Sequence, residues 1–279
     1  MKVLTTKNLS VAICLSTFNG EQYLAPLLDS LEAQNVENLE IIIRDDCSTD
    51  STLIILQSFR QQSKHRVFLI DSFANVGPSI SFFRLLSATS HDLVLFCDQD
   101  DIWENNKVST FLDKLTSLES QSFPCILFSS YYIFGKLFPQ TLASNLLAKG
   151  SLLFENSVPG FSIGINRSAV EYILHNITEG ACSCFMHDWL ILLACLQCNA
   201  SFVHIDFPLV HYRQHSSNCI GIRRRRPITI KLILGFLNSS RLTFQYLRQW
   251  FPELLAELGL WRYVLLRLLY KLRLLFCGA

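Results

Sequence analysis

Four short apolar runs, at residues 11–15, 39–43, 67–70 and 93–97, each give way to a polar turn and then to helical spacing or further turn residues. A run of four or five mostly Val, Ile, Leu and Phe residues between turn residues reads as a strand buried on both faces. After the first run, Tyr23, Leu24, Leu27, Leu28 and Leu31 recur three and four apart. After the second, Asp50-Ser51-Thr52 opens a helix carrying Leu53, Ile55, Leu56 and Phe59, and residues 79–86 repeat the pattern after the third. Such alternation restricts the chain to right-handed βαβ units and a parallel sheet, an α/β fold. In these sheets ligands bind outside the carboxyl ends of the strands. The polar clusters after strands one, two and four (residues 16–20, Asp45 with Asp46, and residues 98–101) all fall on that edge. Three independent clusters on one edge predict one site.

The fourth strand delivers Phe96-Cys97-Asp98-Gln99-Asp100-Asp101, three carboxylates in four residues. At short range they repel one another by several kcal/mol unless a cation or hydrogen-bond donors sit among them. An Asp-x-Asp at a strand end offers hard oxygen ligands, which suit Mg2+ or Mn2+. The plainer alternative is an acidic turn, with Asp101 capping a helix that starts at Ile102. Beyond residue 120 the pattern loosens. A strand is predicted at 126–134, an apolar alternation follows Pro159-Gly160 at 161–165, and a helix opens around 185–190 and runs to about Cys195. Two short strands, at 202–205 and 209–212, lead into Tyr212-Arg213-Gln214-His215.

The chain has 279 residues, ample for a sizeable core, and a net charge of +1, which excludes a globally basic nucleic-acid binder. Basic residues nevertheless crowd the C-terminal part, notably Arg223-Arg224-Arg225-Arg226, and from Ile228 on Arg and Lys interleave with Leu, Ile, Phe and Trp at helical spacing. Two domains are therefore expected, an α/β domain at 1–222 and a basic amphipathic helical tail at 223–279. Such helices suit an anionic membrane surface or pack on the domain with snorkelling arginines. The polar start and the lack of 18 consecutive apolar residues lead to the expectation of a cytoplasmic chain with no leader and no spanning helix. Of the ten cysteines, most lie inside apolar runs as small hydrophobes. The Cys182-x-Cys184 and Cys195-x-x-Cys198 pairs have zinc-like spacing, but the second lies in a helical segment without knuckle turns, so free thiols are expected.

With these residues assembled, the chain resembles the family-2 glycosyltransferases over roughly residues 10–220. The resemblance is carried by Leu15-Ser16-Thr17-Phe18-Asn19-Gly20, Ile43-Arg44-Asp45-Asp46-Cys47-Ser48-Thr49-Asp50, Asn75-Val76-Gly77, Cys97-Asp98-Gln99-Asp100-Asp101-Ile102-Trp103, His187-Asp188-Trp189 and Tyr212-Arg213-Gln214-His215. It implies a GT-A fold, a Rossmann-like mostly parallel sheet flanked by helices, and metal-dependent inverting transfer from a nucleotide-diphosphate sugar. The wording of the last motifs is most similar to bacterial rhamnosyltransferases of surface polysaccharides. That branch implies dTDP-L-rhamnose as donor, a growing lipid-linked polysaccharide such as O-antigen as acceptor, and attachment at the cytoplasmic face of the inner membrane. The alternatives are another hexose donor, or a catalytically inactive nucleotide-sugar-binding scaffold. A nucleotidyltransferase would need a Gly-rich phosphate loop after the first strand, which residues 16–20 do not provide.

By resemblance, Ser16, Phe18 and Asp46 hold the nucleoside, with Asp46 able to accept from a pyrimidine N–H and Phe18 to give a stacking surface. Asn75 and Gly77 shape a turn or contact the nucleotide. Asp100 contacts the metal, and Asp98 lies nearer the ribose and the metal's water shell. Asp101 touches sugar or acceptor, or caps a helix; Trp103 packs. Asp188 takes the acceptor's proton as general base, with His187 as a tuning neighbour and helix capping as the plainer role. Arg213 grips the diphosphate and His215 is a possible metal ligand. Two departures from the family pattern stand out. Cys47 occupies a turn position where the family has glycine, and the segment Ser129-Ser130-Tyr131 lacks the Asp of the rhamnosyltransferase branch.

Overall fold

The computed structural model describes residues 9–118, 122–134, 139–140, 152–154, 156, 158–215, 230–256 and 258–276. Its first half is the predicted alternation: β1 (Val11–Thr17), α1 (Glu21–Glu32), β2 (Leu39–Asp45), α2 (Thr52–Gln62), β3 (Arg66–Ile70), α3 (Pro78–Ser87) and β4 (Leu93–Asp98). There follow β5 (Ile102–Trp103), α4 (Lys107–Thr116), β6 (Cys125–Ile133), β7 (Pro139–Gln140), β8 (Ile163–Asn166), α5 (Arg167–Asn176), α6 (Glu179–Cys182), α7 (His187–Gln197), β9 (Ser201–Tyr212), α8 (Ile230–Trp250) and α9 (Leu260–Phe276).

One sheet runs β3-β2-β1-β4-β8-β6-β9-β5, with β7 paired to β6. The first four strands in that order are parallel, and β6 is parallel to β9, while the short β8 is antiparallel to both β4 and β6. The fold is thus GT-A-like α/β: a mostly parallel sheet flanked by helices, with further helices at the C-terminal end. The runs that read as buried strands are buried. Residues 11–15 and 93–97 have at most 1% of their surface exposed, because helices cover both faces. One apolar layer, under α1 and α4, holds Leu24, Leu27, Leu31, Ile41, Ile43 and Phe111. The other, under α3, α5 and α7, holds Phe82, Phe96, Ile173 and Leu193 and continues into Phe244, Leu247 and Phe251 of the C-terminal helices. The tail helices therefore share the second layer, by one face.

Three predictions are corrected. No helix starts at Ile102: residues 102–103 form β5, paired with His211 and Val210 of β9, and the next helix begins at Lys107. Asp101 is thus not a cap; its Oδ1 accepts from the Arg213 N–H at 3.1 Å. The two short strands expected at 202–212 are one bulged twelve-residue strand, β9, because Pro208 falls at a register shift beside Ser130, where a missing N–H is tolerated. The alternation at 161–165 is half turn, with a 3-10 turn over Gly160–Ser162 before β8. Cys47 does sit in the left-handed region, at φ +63°, where its thiol lies 3.6 Å from the Ser72 hydroxyl. The four arginines 223–226 lie outside the described residues.

Candidate active site

The carboxyl ends of β1 and β4 are adjacent: Ser16 is in register with Asp98. Past β1 the chain turns through Phe18, which is 44% exposed, and Asn19 at φ +47°. Gln99 fastens this turn to the acidic one. Its Oε1 accepts from the Phe18 N–H at 2.8 Å and its Nε2 donates to the Phe18 carbonyl at 3.0 Å. A Cβ at Gly20 would come within 2.4 Å of the same amide oxygen, so a larger residue there would displace the Gln99 amide.

Asp98 and Asp100 are half-buried and Asp101 fully buried. Burial, then the charges of Asp100 and Asp188, push the Asp98 carboxyl up to about 8. Burial and the charges of Asp98 and Asp100 hold Asp101 well above the usual carboxylate range. Asp188, at the second position of α7, is therefore within electrostatic reach of the Asp98 carboxylate, although 90 residues separate them in the chain. Its Oδ1 accepts from the Trp189 N–H at 2.8 Å, at the positive end of the helix. Beneath the cluster lies Lys107, fully buried, which donates to the Phe161 carbonyl at 2.6 Å and sits 3.3 Å over the Trp103 ring. Burial pushes its ammonium down to about 7 against the pull of Cys97, Asp101 and Asp98.

The segment after β9 closes one side. His215 Nε2 lies 2.8 Å from Asp100 Oδ2, and its ring stacks on Tyr23 at 4.3 Å. The Arg213 guanidinium lies between the Tyr23 and Phe134 rings, 5.4 Å and 5.2 Å from their centroids. Burial, then Asp101, Asp100 and Asp98, push the Tyr212 phenol up to about 12. Ser16 Oγ bonds Ser81 Oγ at 2.8 Å, facing the same edge. Crowded carboxylates beside an imidazole are a donor set that fits Mg2+ or Mn2+, and their mutual repulsion calls for a cation. Among the described residues no three metal-ligating side chains form a ready cage.

Asp46 is placed differently from its sister residues. Its carboxylate is 3% exposed and faces the chain itself. Oδ1 takes Arg44 Nη1 at 2.6 Å and the Val76 N–H at 2.9 Å, and Oδ2 takes the Gly77 N–H at 2.7 Å. It organises the Asn75-Val76-Gly77 turn, where Gly77 has φ +80°. His187 is buried against Phe82, ring centroids 4.0 Å apart, and burial pushes its pKa down. It makes no hydrogen bond to Asp188, and a Cβ at Gly160 would lie 2.4 Å from its Nε2. His187 therefore packs as a neutral ring rather than tuning Asp188 by a hydrogen bond. Sequence reading missed Gln99, Tyr23 and Lys107. Gln99 was signalled by its place between two ligand-type aspartates, whereas Tyr23 and Lys107 were hidden inside amphipathic helical patterns.

Comparisons with known proteins bear on the family and the fold. The signature described as Glycosyl transferase family 2 matches residues 12–186. The dTDP-rhamnosyl transferase RfbG of Shigella flexneri is 27% identical over 221 residues, 74% of this chain and 73% of that protein. The poly(ribitol-phosphate) beta-N-acetylglucosaminyltransferase TarS of Staphylococcus aureus is 26% identical over 144 residues, 51% of this chain but 24% of that protein. Among solved structures, residues 1–349 of TarS in complex with UDP-GlcNAc superpose with a TM-score of 0.64 at 18% identity, covering 96% of this chain and 73% of that one. The mannosyltransferase PcManGT from Pyrobaculum calidifontis, with GDP-Man and Mn2+, gives 0.58 at 14% identity, covering 97% and 76%. The structural matches establish the fold, and the signature, spanning more than half of the chain and ending just before Asp188, establishes the kinship. The chain belongs to glycosyl transferase family 2.

Proposed function

We propose that this enzyme moves a sugar, rhamnose from dTDP-L-rhamnose, onto a growing lipid-linked bacterial polysaccharide, with inversion, while attached peripherally to the cytoplasmic face of the inner membrane. The observation that carries the reaction type is the convergence of Asp98, Asp100 and Asp188, from two distant elements, on one strand-end edge. The similarity to RfbG supports the choice of donor.

Each residue then has a task. Phe18 and Ser16 flank the nucleoside, and Asp46 shapes the wall behind it through the Val76-Gly77 turn. Asp100 and Asp98, with His215, are the residues that hold Mg2+ or Mn2+; bound there, the ion supplies Lewis-acid stabilisation of the departing diphosphate. Arg213 offers the phosphate oxygens a bidentate grip. Asp101 orients that arm through the Arg213 N–H. Asp188 takes the proton of the acceptor hydroxyl as its oxygen attacks the anomeric carbon.

The deciding experiment is thermal unfolding with a panel of nucleotide sugars, with and without Mn2+ or Mg2+. Donor binding to the folded state raises the midpoint, by roughly 2.7 kcal/mol of stability at a hundredfold excess over Kd. The expected outcome is a metal-dependent shift with dTDP-L-rhamnose that chelation with EDTA removes. A shift with UDP-GlcNAc or GDP-mannose in its place would replace the donor while keeping the reaction, since TarS and PcManGT carry those nucleotides.

A second expectation concerns Tyr23, which touches both Arg213 and His215. A stacked pair and a cation–π contact together are worth roughly 1–2 kcal/mol. Tyr23→Ala should raise the donor KM roughly tenfold with a smaller change in kcat, and Tyr23→Phe should restore it. Equal effects of the two substitutions on KM would remove Tyr23 from this role.

A further inference from the structure

Charge is divided unequally along the chain. Residues 223–279 carry eleven Lys and Arg against two Asp and Glu, net +9, whereas residues 1–222 carry thirteen against twenty-one, net −8. Within the basic part, α9 has two distinct faces. One is docked: Tyr263 and Val264 are buried, and the Tyr263 hydroxyl donates to the Leu153 carbonyl at 2.9 Å. The Tyr263 ring lies 5.4 Å from both Phe154 and Phe244, and Arg267 reaches Ser240 and Thr243 of α8. The other face is bare. Trp261, Leu265, Leu268 and Leu269 are 77%, 54%, 41% and 52% exposed.

Their spacing of four, three and one residues makes one stripe along successive turns, with the exposed Arg262 beside Trp261. Single exposed leucines need no explanation, but an aligned stripe headed by Trp does. No helix among the described residues is long and apolar enough to cross a membrane, so a bilayer contact made by α9 would run along the surface. Arg241, Arg248 and Arg262 of these helices are exposed as well, so a second copy seated on this face would set like charges against one another. A lipid surface with anionic headgroups instead matches both the apolar stripe and these exposed arginines.

We propose that the exposed face of α9 docks on an anionic bilayer, with Trp261, Leu265, Leu268 and Leu269 entering the headgroup boundary. This deepens, and rests on, the peripheral-membrane part of the function proposed above. The test contains no nucleotide sugar, so its failure leaves the transfer reaction standing. The full chain is floated with phosphatidylglycerol-containing vesicles and with pure phosphatidylcholine vesicles. It should rise with the anionic vesicles alone and be released at high salt. The triple variant Trp261→Ala, Leu265→Gln, Leu269→Gln should lose roughly tenfold or more in partitioning, with its melting temperature kept.

Should that variant fail to fold, brominated lipid in anionic vesicles provides the second reading. It should quench the native fluorescence, and Trp261→Phe should abolish that quenching. Absence of binding to anionic vesicles, unchanged binding by the folded variant, or quenching that survives Trp261→Phe would overturn the proposal. So would a dimer, seen by light scattering, that the triple variant converts to monomer, since that assigns the stripe to a second copy.

Discussion

Replacing Asp188 with Asn should slow sugar transfer by roughly 10²–10⁴-fold, the range a positioned general base contributes, and leave donor binding close to that of the native enzyme. The substitution is nearly isosteric, and the Asn carbonyl can still accept from the Trp189 N–H, so the first turn of α7 keeps its contact. Binding should be spared for an electrostatic reason. Asp188 is one of the charges that raise the Asp98 carboxyl. Removing it relieves Asp98 and favours the ionised form that a divalent ion needs. The check is a pair of measurements on one preparation, the transfer rate and the calorimetric Kd for the nucleotide with Mn2+. Loss of rate with retained Kd separates an enzyme from a binding scaffold. Transfer at the native rate would reduce Asp188 to a residue that favours the helix terminus.

The second large effect is on stability. Asp46→Ala should cost about 3–5 kcal/mol, because it strands a buried guanidinium. Arg44 is 1% exposed and its Nη1 loses the carboxylate at 2.6 Å, keeping Ser81, Ser72 and the Ala74 carbonyl. The Val76 and Gly77 N–H groups lose their acceptor in the same step. For a domain of this size the melting temperature should fall by roughly 10 °C. Removing both members of the pair, in Arg44→Met with Asp46→Ala, should recover part of that loss, since no charge is left unpaired. A melting temperature within ~2 °C of native, accompanied by lost nucleotide binding, would instead assign Asp46 to the donor directly.

Most of the fold's first half was legible because its strands are covered on both faces. Runs such as residues 11–15 and 93–97 then carry no competing signal, and the helices between them carry plain amphipathic spacing. The site's acidic edge followed from topology, since strand ends of a parallel sheet converge wherever the helices lie. What could not be read was pairing at a distance. Residues 102–103 look like the start of a helix by composition, and only the partner His211 and Val210, over a hundred residues on, makes them a strand. Asp46 reads as a ligand in its motif, yet the fold brings an arginine and two amides to it. Lys107 and Tyr23 have helix-compatible neighbours, and nothing in their spacing reveals a lysine buried beside Asp98 and Asp101 or a ring under an arginine.

The Gln99 amide clamp on Phe18 has a thermodynamic consequence. Because a single side chain bonds both the N–H and the carbonyl of Phe18, the two loops it joins are displaced together. With the nucleobase and the cation bound where proposed above, the two occupancies would be linked, and by reciprocity each would alter the affinity of the other by the same factor. Exchanging one pyrimidine for another would accordingly register as an altered metal requirement, even where no atom of the base reaches an aspartate.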